Sequence, residues 1–96
     1  MKLYWIRYQR GNNSPKRMLV LVLGTKDNKL YCLDTDKLNS SDKEFIRSRN
    51  NYFSKLGLED RITQLRDVRP SVMKCYRTIS TSNFVVDKEY SINSSS

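Results

Sequence analysis

The chain has 96 residues, with 18 Lys and Arg against 10 Asp and Glu, no histidine and a formal charge of +8. That length supports one hydrophobic core and no more. The missing histidine excludes an imidazole pH switch and the usual base of a Ser or Cys hydrolase, and no segment approaches the roughly 20 apolar residues of a membrane-spanning helix. An apolar share of 38%, gathered into blocks, argues for a folded domain over residues 1–92 rather than a disordered chain. Residues 93–96, with three serines, have nothing to bury and are expected to fray.

Residues 2–9 combine Leu3, Tyr4, Trp5, Ile6 and Tyr8 without a breaker, which predicts a first strand. Trp5 is expected in the core, because large aromatics dominate core burial. Residues 10–16 hold Gly11, Asn12, Asn13, Ser14 and Pro15 and read as an exposed basic loop. Residues 18–23 are six apolar residues in a row, too short for a buried helix, and predict a central strand buried on both faces. Residues 24–28 supply turn chemistry, and Leu30, Tyr31, Cys32 and Leu33 form a third strand, so two antiparallel hairpins follow.

The pattern then turns helical. Ser41 and Glu44 have the spacing of a capping box, which starts a helix near Asp42. Phe45, Ile46, Tyr52, Phe53 and Leu56 share its apolar face, Lys43, Arg47, Asn50 and Ser54 point elsewhere, and Gly57 ends it in the left-handed position. Residues 59–67 carry Ile62 and Leu65 three apart and predict a short second helix that Pro70 terminates. Residues 72–79 and 84–92 return to β-favouring composition around residues 80–83 and read as a closing hairpin. The expected fold is α+β: a mostly antiparallel five-stranded sheet, or a small open barrel, with one or two inserted helices.

Several chemistries lack their residues. No glycine-rich phosphate loop is present, and Cys32 and Cys75 without histidine fall short of a zinc site. Both are expected as reduced, buried thiols, since no export signal precedes them. Asp34 and Asp36, two apart at a strand end, have the donor chemistry of a metal-dependent nuclease, but turn and helix-start roles already explain them and are the favoured reading. We therefore assign no catalytic residue, metal or cofactor.

What remains is cationic surface. Residues 1–30 hold seven Lys or Arg and one Asp, whereas residues 31–60 hold five against six. Lys and Arg neutralise phosphates and release counterions, and aromatic planes stack on unpaired bases. The candidate contacts are Arg7, Arg10, Asn12, Asn13, Lys16 and Arg17 in and beside the loop, with Lys26 and, on the helix, Arg47. Lys43, Arg49, Arg61, Arg66 and Arg69 are a further reserve of positive charge.

The run Pro15-Lys16-Arg17 followed by Met18 to Leu23, then Leu30-Tyr31-Cys32-Leu33-Asp34, the step Lys37-Leu38 and a helix bearing Arg47 resembles a pattern in small accessory proteins of large tailed bacteriophages. Over about half the chain, that resemblance implies an SH3-like small barrel and a virus-encoded setting in the host cytoplasm; it brings no site residues. The expected function is non-enzymatic binding of DNA or RNA. The alternative is an interaction module that presents its positive face to an acidic protein, since electrostatic steering serves either partner. Neither reading involves a membrane, and a cytoplasmic location is expected.

Overall fold

The computed structural model describes residues 1–92; the tail expected to fray lies outside the described residues. Five strands, β1 (Lys2–Tyr8), β2 (Lys16–Lys26), β3 (Lys29–Asp34), β4 (Tyr76–Ser80) and β5 (Phe84–Ser91), form one antiparallel sheet in the order β4-β3-β2-β1-β5. Three α-helices, α1 (Ser40–Ser48), α2 (Asn50–Ser54) and α3 (Leu58–Val68), lie between β3 and β4 with two short 3-10 segments, Thr35–Lys37 and Pro70–Cys75. The fold is therefore α+β with an open sheet. No described helix is long and apolar enough to cross a membrane.

The hairpin between β2 and β3 turns on two residues, Asp27 and Asn28, whose φ angles are 53° and 61°. Two positive φ values in a two-residue loop define the turn whose twist matches the flanking strands, and short Asx side chains tolerate that backbone. β2 continues past its apolar run through Gly24 to Lys26. Gly24 is where a β-carbon would stand 3.0 Å from Leu58 Cδ1, so its bareness lets α3 sit against the strand.

β4 and β5 do not form a closing hairpin. They occupy opposite edges of the sheet, yet only Thr81–Asn83 joins them. Four strand spacings laid flat would span ~19 Å, and the steps from Ser80 to Phe84 reach at most ~14 Å. The sheet must curl to bring its edges together. Thr81 N donates to Asn28 O and Gln9 N donates to Asn83 O, both at 2.9 Å, which stitches the linker to the ends of β1 and of the β2–β3 hairpin.

Curling explains why β2 is buried on both faces, as its unbroken apolar run predicts. Ile6, Met18, Val20, Leu30, Cys32 and Ile79 form a cluster made only of strand residues, so they fill the inside of the curl. Leu21, Leu23 and Leu33 point the other way and meet Leu38, Ile46, Phe53, Leu65, Val72 and Cys75 under the helical layer. Both thiols are buried and free. They belong to these two different clusters, with the sheet between them.

The helical region departs from its periodicity in instructive ways. Asn39, not Ser41, caps α1: its Oδ1 accepts the Asp42 amide at 2.8 Å. The expected single helix breaks at Arg49 (φ −104°, ψ 11°), and the break rotates the residues beyond it. Tyr52 is left exposed, while Asn50 is buried and donates through its side-chain amide to Ile92 O at 3.0 Å. Gly57 is extended (φ −74°, ψ 169°) and precedes α3 as its N-cap rather than ending a helix. Val72 to Cys75 form a 3-10 segment, with Pro70 opening it, instead of the start of a strand. Three helices thus replace the one or two expected.

Candidate functional site

The positive end of the curled sheet is built by pairing β1 with β2. Arg7 lies directly across from Arg17, Trp5 across from Leu19, and Leu3 across from Leu21. By strand alternation these six residues share the outer face. The helices cover Leu3 and Leu21, which pack with the helix-side cluster, but not the end carrying Arg7 and Arg17, which are exposed.

Two arginines opposed on one face repel one another, and β5 answers with a carboxylate. The register between β1 and β5 slips after Trp5, which pairs with Lys88, whereas Ile6 pairs with Val86. Asp87 is the extra residue of this bulge, and a bulge re-aims its side chain. Its Oδ1 accepts from Arg7 Nε at 3.0 Å and its Oδ2 lies 3.7 Å from Arg17 Nε. One carboxylate therefore serves two guanidiniums. The Arg17 guanidinium also sits over the Trp5 ring, 5.1 Å from its centroid. Trp5 is half-buried and belongs to neither cluster, so it is a platform for Arg17 and not the core residue its size suggested.

The adjoining loop is wholly exposed from Gln9 to Arg17. Asn13 N donates to Arg10 O at 3.2 Å across a turn that Gly11 enters with φ 60°. Arg10 and Lys16 have no ion-pair partner among the described residues. Arg7, Arg10, Asn12, Asn13, Lys16 and Arg17 are thus brought to one end of the molecule. A depression of about 430 Å³ opens beside them between Gln9, Gly11, Pro15, Ser82 and Asn83.

Two candidates fall elsewhere. Lys26 is at the other terminus of β2, ten residues after Lys16, and its ammonium is held by Glu59 Oε1 at 2.7 Å. That bond holds the Lys26 pKa above its ordinary value and that of Glu59 below. Arg47 stands on α1 with Lys43, beside an apolar groove of about 260 Å³ between the helix and the sheet, lined also by Leu3, Leu19, Leu21, Leu38, Ile46, Ile92 and Thr35.

Three other arginines of the helical region are engaged structurally. Arg61 donates to the carbonyls of Phe53 and Leu23, both at 2.7 Å, and of Ser54 at 3.2 Å, tying α2 to β2. Arg69 stacks on Phe45, 4.6 Å from the ring centroid, and approaches the buried Asp42 at 3.6 Å; Arg49 stacks on the same ring at 5.3 Å. Asp34 Oδ1 accepts the Asp36 amide at 3.1 Å and so caps the 3-10 turn after β3. Among the described residues no three His, Cys, Asp or Glu side chains gather as a metal cluster.

Sequence reasoning missed Asp87 and the groove. Nothing in the order Val85-Val86-Asp87-Lys88 announces a bulge, and the groove exists only because α1 returns over β1 and β2. Comparison with protein-family models, with curated proteins and with solved structures finds no match.

Proposed function

We propose that this protein binds nucleic acid without catalysis, gripping phosphates at the open end of the curled sheet. The observation that supports the reading most is the cross-strand pair Arg7 and Arg17 sharing a single carboxylate, flanked by exposed Arg10 and Lys16. Two guanidiniums on one carboxylate retain a net positive charge and unused N–H donors, the chemistry that a phosphate oxygen completes. Trp5 holds Arg17 by its ring face, so that guanidinium loses less rotamer freedom on binding. Asn12 and Asn13 add neutral donors to backbone or sugar. Such contacts fix position on the strand and carry little sequence information.

Arg10 and Lys16 are exposed and form no ion pair among the described residues, whereas Arg7 and Arg17 are held against Asp87. Lys26 and Arg47 fall outside this primary surface. An accessory role in a virus-infected cell is the setting supplied by the sequence resemblance. The test is a fluorescence-anisotropy titration of single-stranded and duplex oligonucleotides at two salt concentrations. Binding that weakens steeply with salt is expected, and no binding at low salt would overturn the proposal. A second reading, an acidic protein partner, is favoured by one specific feature, the apolar groove beside Arg47.

A further inference from the structure

We infer that the groove between α1 and the outer face of β1 and β2 is a docking site for an acidic, amphipathic segment of another protein, a contact distinct from the phosphate-binding end. Its floor is apolar, with Leu19, Leu21, Leu38 and Ile46 among its lining, and its volume is about 260 Å³. Gaps inside a packed core seldom exceed a water molecule, so this space is a surface feature and not loose packing. It lies below the ~300–1,000 Å³ of pockets that enclose small-molecule ligands, and suits a few large apolar side chains entering from one side.

The lining selects among occupants. Thr35 contributes a hydroxyl, but that group already donates to Leu19 O at 2.7 Å, and no buried side-chain polar atom among the described residues lacks a partner. A nucleobase placed there would lose its hydrogen bonds to water and find none in exchange, which costs several kcal/mol. An apolar side chain carries no such loss. The rim then sets the charge of the partner. Lys43 and Arg47 are exposed, one helical turn apart on α1, and form no ion pair among the described residues. Residues four apart on a helix present their side chains together, so they meet carboxylates that flank an apolar anchor. A second copy of this chain is the poorer occupant, because each copy carries a formal charge of +8 and like charges oppose its approach to a cationic rim.

This inference does not rest on nucleic-acid binding, and its test separates the two. The probe is a fluorescein-labelled 14-residue peptide with leucines at helical spacing and Glu or Asp elsewhere, titrated into the full chain while methyl NMR spectra are recorded. Saturable binding is expected, with shifts at Leu19, Leu38 and Ile46. Replacing the leucines of the peptide by serine, or combining Lys43→Glu with Arg47→Glu, should weaken binding about tenfold, the scale of a lost apolar anchor or a reversed pair of rim charges. The charge-matched control Lys29→Glu with Lys55→Glu, both exposed and neither lining the groove, should change it by less than about threefold. No saturable binding would overturn the inference, as would indifference to the loss of leucine, equal sensitivity to both charge reversals, or groove shifts produced by an oligonucleotide in place of the peptide.

Discussion

The two ends of β2 carry similar cations and have opposite characters. At its start, Arg17 shares Asp87 with Arg7, and Lys16 and Arg10 have no partner among the described residues. At its finish, Lys26 is matched by Glu59, and the strand is held down by Leu58 against Gly24 and by Arg61 on the Leu23 carbonyl. One end has cation charge left over after folding, whereas the other has used most of its own. Formal charge counts both ends alike, so the difference lies in which carboxylates the fold delivers to each.

The largest effect that would break this contrast is expected from replacing Arg7, Arg10, Lys16 and Arg17 together by alanine. Oligonucleotide affinity at low salt should fall on the order of 100-fold, with the salt dependence flattened by as many as about four counterions. Anisotropy titrations check both. Arg61→Met should do the reverse: it strands carbonyls that a charged donor now satisfies, so urea unfolding should show a loss of about 2–3 kcal/mol, while affinity of the folded protein stays the same.

Changing pH sharpens the same distinction. The chain has no histidine, so binding at the open end should be flat between pH 6 and 8, which anisotropy at constant ionic strength would show. Stability should respond in alkali. Burial pushes the Cys32 thiol up to about 12 from an ordinary value near 9. Between those values the folded chain keeps a proton that the unfolded chain loses, so stability falls as pH rises from about 9 toward 12, by at most ~1.4 kcal/mol per pH unit from this group. Urea midpoints measured at pH 8 and 10.5 should differ less for Cys32→Ala than for the parent.

How much of this was legible in the sequence depends on which interactions are local. The buried strand at residues 18–23, the Asp27-Asn28 turn and the presence of helices before Pro70 rest on short-range pattern, and they appear where the pattern puts them. The loop cations from Arg10 to Arg17 were visible for the same reason. Asp87 was not, because its role depends on a bulge in β5 and on the pairing of β5 with β1, some eighty residues away in the chain. Lys26 shows the converse: as a bare residue it is one more cation, and only the approach of α3 gives it Glu59. The strand pairing at the end of the chain was misread because residues 80–83 have hairpin composition, while the curl that carries them between opposite edges is a property of the whole sheet.

Asp87→Asn tests the central claim most directly, since it removes a negative charge from the positive end while leaving every cation in place. It is to be compared with Lys26→Ala in salt-dependent anisotropy titrations of one oligonucleotide. The account predicts that Asp87→Asn binds about threefold to tenfold more tightly at low salt and with a steeper salt slope, roughly one more counterion, and that Lys26→Ala matches the parent. Weaker binding by Asp87→Asn, or a loss for Lys26→Ala equal to that for Lys16→Ala, would contradict it.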